Sequence, residues 1–168
     1  ERRQFDVAFV ANHDEKGRPL LTAVSDKAAW VKDLSKLVAI ATKINESLLP
    51  VAKSVADYAE GLNSDKGRQL LIKLAKHGGW LKIYLDEQLS GAGNNPVTSK
   101  AEYLQIVSTR SDAVVPLEFV YDYTVPRPEA AVCEHWLDAA KQGKELDKCL
   151  DTCDRTSGRV VCPMGFWG

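Results

Sequence analysis

Four cysteines, Cys133, Cys149, Cys153 and Cys162, fall within thirty residues of a 168-residue chain that has no others. Fifteen, three and eight residues separate successive members. A three-residue spacer lets two thiolates from one turn reach a single zinc ion at about 2.3 Å in a tetrahedral site. Cys162 opens the run Cys162-Pro163-Met164-Gly165, whose Pro and Gly suit a tight turn able to aim backbone N–H groups at a bound sulfur. His135, two residues past Cys133, is a substitute ligand. A closed set of four thiolates leaves no position for water, so it stabilises a segment too small for its own core and does not activate a nucleophile. The expectation is a structural zinc site with Cys133, Cys149, Cys153 and Cys162 as ligands. Two disulfides and four reduced core thiols are the competing readings, the disulfides lowered by the missing secretory signal.

A cysteine nucleophile would need a basic partner, normally His, to hold the thiolate and move its proton. The chain offers His13, His77 and His135. His13 sits in a turn-like Asn-His-Asp run, and His77 precedes Gly78-Gly79, where a cation at a helix C-terminus is favoured in its own right. Neither reads as a base, and no catalytic or cofactor-binding residue is assigned. Gly91-Ala92-Gly93 precedes a strand pattern and lacks the strand-to-helix setting of a phosphate loop, so it reads as a turn. Glu118, after Pro116-Leu117, reads as a helix cap more than as a partner-binding carboxylate.

The elements that must position these residues follow from periodicity. Phe5–Ala11 and Leu20–Val24 read as strands joined by a polar loop, a hairpin. From Ser25 or Asp26, Trp30, Leu34, Leu37, Val38, Ala41 and Ile44 recur at helical spacing. Pro50 then falls in a second helical pattern reaching Leu62, and a break near residue 46 with Ser47 as N-cap puts that Pro in a first turn. Asp65 opens a third helix that ends at His77 with Gly78-Gly79 as a left-handed stop, and a short fourth helix carries Trp80, Ile83 and Tyr84. Trp30 and Trp80 are placed in the core, while Trp136 and Trp167 lie near the cysteines. Tyr103–Ser108 reads as a buried strand, and Pro116 suits a first helical position. The stiff Thr124-Val125-Pro126-Arg127-Pro128 divides an α/β region, 1–124, from a cysteine-bearing appendage, 125–168.

Composition bounds what the whole can do. Lys and Arg number 22 against 23 Asp and Glu, and the balance holds along the chain, so the basic footprint of a general nucleic-acid binder is missing. With 45% hydrophobic residues the chain can bury a core. No apolar run approaches the roughly 20 residues that span a bilayer, so no membrane role is expected and a cytoplasmic location is the default. The start without Met and the apolar Phe166-Trp167-Gly168 end suggest a fragment.

Phe5–Val10, the Leu74-Ala75-Lys76-His77-Gly78-Gly79-Trp80-Leu81 helix end, Tyr103–Ser108 and Val115-Pro116-Leu117-Glu118-Phe119-Val120-Tyr121-Asp122 together resemble the first half of a CHAT domain. CHAT domains are caspase-like, clan CD cysteine peptidases. The cysteine-bearing segment ending in Cys-Pro-x-Gly-Phe-Trp-Gly resembles an insert of some bacterial members. The resemblance implies an incomplete caspase-like α/β fold with several amphipathic helices and a few strands, plus a small cysteine-rich appendage. In the family a His-Gly and a later Cys follow the Pro-x-Glu turn, and no His-Gly follows Glu118 here. The resemblance therefore implies a non-catalytic part of a peptidase, inactive as given, from a bacterial defence or regulated-death system. Its partner would be the rest of the same polypeptide or another protein. The alternative is a zinc-stabilised protein–protein interaction module that never had a dyad.

Overall fold

The computed structural model describes residues 7–10, 34–90, 105–108, 115–144, 146 and 148–167. Along them lie β1 (Val7–Val10), α1 (Leu34–Lys53), α2 (Asp65–Ser90), β2 (Gln105–Ser108), β3 (Ala131–Val132), α3 (Glu134–Lys141) and β4 (Val160–Val161). Short 3-10 turns occupy Val55–Tyr58, Gly61–Asn63, Leu117–Phe119 and Pro163–Gly165. The described chain is mostly helical, with one antiparallel pair, β1 and β2, and one short parallel pair, β3 and β4. A mixture of helices and strands is thus present, weighted to helix more heavily than the α/β expectation.

Val7 faces Ser108 and Val10 faces Gln105 in the β1–β2 pair. The expected hairpin partner, 20–24, lies outside the described residues, as do His13, the helix start at Ser25 or Asp26, Trp30 and Gly91-Ala92-Gly93.

α1 runs unbroken through Glu46, correcting the expected division there. Ser47 is not an N-cap: its hydroxyl donates to the Lys43 carbonyl at 2.8 Å, one turn back within the helix. Pro50 falls in the last turn, where its ring removes the one bond that residue 50 would otherwise donate to the Glu46 carbonyl. The Ser54 N–H then donates to the Pro50 carbonyl at 3.0 Å as the chain leaves the helix.

α2 is capped by Ser64, whose Oγ accepts from the Gly67 N–H at 3.0 Å, while Asp65 in the first turn pairs with Arg68. It does not stop at Gly78-Gly79 but continues to Ser90, absorbing the expected fourth helix. A Cβ on Gly78 would lie 1.9 Å from the Phe119 carbonyl oxygen, and one on Gly79 would lie 2.9 Å from Val125 Cγ2. These glycines let the 119–125 segment lie directly on the helix; they do not end it. His77 is consequently a mid-helix residue with no C-terminus to cap. Trp80 is not core but 46% exposed, with the Lys76 ammonium 5.4 Å above its ring. The Leu117–Phe119 turn is a single 3-10 turn with Pro116 at its cap position, one place before the first helical position expected for it, and Glu118 is exposed on the turn.

Contacts divide the chain into two units. The first comprises residues 1–39 and 83–115 and holds the β1–β2 pair, with Leu37, Tyr84 and Leu85 buried. The second comprises 40–82 and 116–168. One buried cluster in it joins Ala75, Tyr121 and Val161, with Leu71, Ile72, Tyr123, Ala130 and Phe166 packed around them. The cysteine-bearing segment therefore shares a core with α2, and the contact boundary does not follow the composition shift near residue 124.

Candidate metal centre

The local folds that deliver the four thiols all lie in the second unit. β3 and β4 pair in parallel, Ala131 beside Val160 and Val132 beside Val161, and each runs directly into a cysteine. The Cys133 N–H donates to the Val161 carbonyl at 2.9 Å, which sets Cys133 and Cys162 side by side at the ends of two adjacent strands. Cys133 is also the N-cap residue of α3. Cys149 and Cys153 come from one turn, closed by the Cys153 N–H on the Leu150 carbonyl at 3.0 Å. The three-residue spacer thus acts as expected, as a single turn presenting two sulfurs.

All four ligand atoms lie within 4.8 Å of one another. Cys133 Sγ is 3.5 Å from Cys149 Sγ and 3.7 Å from Cys153 Sγ. A tetrahedral ion with four sulfurs at about 2.3 Å has edges of about 3.8 Å, so the cluster has the size of a metal-thiolate site. None of the four is in a disulfide. Cys133, Cys149 and Cys162 are buried, with Tyr123, Trp136 and Val160 packed against them. The donor set and its spacing fit a tetrahedral, thiophilic ion with no position open to water.

The turn after Cys162 behaves as its sequence suggests. It is a 3-10 turn with Pro163 at its start, and the Met164 N–H donates to the Cys162 sulfur. Gly165 is required by a neighbour the sequence does not indicate: a Cβ there would lie 2.4 Å from Tyr121 Cε2. Tyr121 is fully buried, and its hydroxyl accepts the Cys162 N–H at 3.1 Å. Residues 119–125 thus form a strap over α2, tied down by the Asp122 N–H on the Gly165 carbonyl at 2.7 Å and the Trp167 N–H on the Val120 carbonyl at 3.1 Å. Tyr121 was not singled out from sequence, because no spacing signal links residues 121 and 162.

Electrostatics separate the thiols. Burial pushes the Cys162 thiol up to about 11 against the opposing Met164 N–H. Burial, reinforced by bonds with Cys133 and Cys149, holds the Cys153 thiol far above its usual value. For Cys149 burial acts in the same upward sense but is outweighed by the hydrogen bonds of His135 and the other three thiols, bringing it to about 7. His135 Nδ1 lies 3.8 Å from Cys149 Sγ, beside the cluster and not within the set of four.

His77, by contrast, is remote from any cysteine in sequence and lines a cleft of about 410 Å³ with Lys43, Glu46, Lys66 and Lys73. Burial first, then Lys76 and Lys43, lowers its pKa. Trp136 packs against the thiols as expected, with its indole nitrogen buried and without a hydrogen-bond partner. Among the described residues no helix is long and apolar enough to cross a membrane. No protein-family model, curated protein or solved structure matches the chain.

Proposed function

We propose that this chain is the amino-terminal, non-catalytic part of a CHAT-like, caspase-related cysteine peptidase, and that a structural zinc ion on Cys133, Cys149, Cys153 and Cys162 holds its cysteine-bearing segment in shape. The observation that carries the reading is a pairing. Two of the stretches that carry the resemblance, Val115–Asp122 and Cys162–Trp167, are bonded to each other by the Asp122–Gly165 and Trp167–Val120 backbone bonds and by the Tyr121 hydroxyl on Cys162. They act as one structural feature anchored at a ligand cysteine. The zinc would neutralise part of the charge of four converging thiolates and cross-link β3, β4 and the 149–153 turn; it supplies shape, not reactivity.

The peptidase half of the reading is tested by the reading frame beyond Gly168 and by expression of the chain joined to what it encodes. A downstream His-Gly and a later Cys, with peptide cleavage lost on replacing that Cys by Ala, is the expected result. A reading frame without that pair overturns it. The metal half is tested by elemental analysis after chelator washing, where about one zinc per chain is expected and less than about half an equivalent, with four titratable thiols, excludes it.

A second reading, a zinc-stabilised interaction module, is favoured by the exposure of Leu150 and Met164, two apolar side chains on the turns that carry Cys149 and Cys162. It predicts no dyad downstream and a protein partner whose binding is lost in L150D.

A further inference from the structure

Four thiolates around a divalent ion carry a net formal charge of about −2, and here three of the four sulfurs belong to buried residues. Such a charge is tolerated only where hydrogen-bond donors face it. One donor is the Met164 N–H on Cys162. The nearby Arg155 is committed elsewhere, its guanidinium lying 5.5 Å over the Tyr123 ring and donating to the Leu150 carbonyl. The buried Trp136 indole N–H packs beside the thiols but bonds none of them, whereas the His135 ring does reach a sulfur, with Nδ1 3.8 Å from Cys149 Sγ.

We propose that His135 is a positioning residue of the metal centre: its Nδ1–H donates to the Cys149 thiolate from outside the coordination shell. The proposal rests on the four-thiolate reading. Three observations support it. The four sulfurs lie within 4.8 Å of one another, as many donors as a tetrahedral ion takes, so a fifth ligand is not needed. Cys133 caps α3 and His135 lies in its first turn, so one helix start delivers a ligand and a donor together. Trp136, the next residue, packs on the thiol cluster, and the apolar surface it adds strengthens an N–H···S bond there. The acceptor also fixes the ring: Nδ1 carries the proton, and the sulfur lone pair that faces it is withdrawn from the metal.

Cobalt(II) titration of the full chain tests this, because the thiolate-to-cobalt charge-transfer band reports sulfur donor strength and the visible bands report the ligand set. In H135A the four-sulfur visible pattern should persist, the charge-transfer band should move to lower energy, and affinity should fall about ten- to a hundredfold. H135N, whose amide N–H stands near the place of Nδ1–H, should restore the band. An unchanged band and affinity in H135A, or a shift that H135N fails to reverse, overturns the proposal. A nitrogen ligand in the wild-type spectrum that disappears in H135A also overturns it, by making His135 a ligand. Failure of the wild type to take up cobalt instead overturns the four-thiolate reading beneath it.

Discussion

Each thiol must give up its proton to bind a metal, and the surroundings make that easy for one and hard for two. Cys149, at about 7, is half ionised near neutrality because donors from His135 and its neighbouring thiols outweigh its burial. Cys162, at about 11, and Cys153, pushed higher still, remain protonated there because burial disfavours their charge. A metal taken up by all four thiolates near neutral pH would therefore displace at least two protons, and a third below the Cys149 midpoint. The sign follows: affinity rises with pH, by at least about a hundredfold per unit above pH 7 and more steeply below it. Competition against a chelator of known affinity at about pH 6 and about pH 8 checks this, and a pH-independent affinity would contradict the assignment of these thiols as ligands. That the four cysteines gather in one place was legible in the sequence, because clustering and spacing are local signals. Tyr121 was not: it receives the Cys162 N–H across a sequence separation of 41 residues, and a buried tyrosine in an apolar run looks like any other core aromatic.

At the scale of the element, the helical periodicity was legible and the stops were not. Gly78-Gly79 and Pro50 are both local breakers, and a reading of local propensity places helix ends beside them. α2 passes through the glycines because Phe119 and Val125 occupy the space where their side chains would be, and that contact is with residues some forty positions away. This inverts the usual effect of substitution. In a free helix Gly→Ala is stabilising by up to about 1 kcal/mol. Gly78→Ala should instead destabilise by about 1–3 kcal/mol, since its Cβ would sit 1.9 Å from the Phe119 carbonyl and the strap carrying Val120 and Tyr121 would have to lift. Urea denaturation measures the sign directly, and a variant more stable than the wild type would show that the glycines are not contact residues. α1 shows the same limit, running unbroken from Leu34 to Lys53 with Pro50 inside its last turn.

At the scale of the molecule, the question is whether the cysteine-bearing segment is a stapled appendage or part of a larger core. The sequence suggests the former, because composition changes at Thr124–Pro128. Packing argues for the latter within the second unit: Ala75 of α2, Tyr121 and Val161 form one buried cluster, and Tyr123 belongs both to its surroundings and to those of the thiols. Val161 immediately precedes Cys162, and Tyr121 holds the Cys162 N–H, so loosening the thiol cluster would withdraw support from the side chains that bury Ala75. Cys153→Ser is the appropriate probe, since it removes one ligand at the least buried of the four while changing the side-chain volume little. Native-state hydrogen exchange should then show faster exchange at Leu71, Ile72, Leu74 and Ala75 as well as at Val132, Val161 and Cys162, all moving together as one cooperative unit. Chelation of the wild-type protein should reproduce that pattern. Acceleration confined to 129–167, with the α2 amides unchanged, would mean that the segment folds and unfolds alone and that the shared cluster contributes packing without coupling.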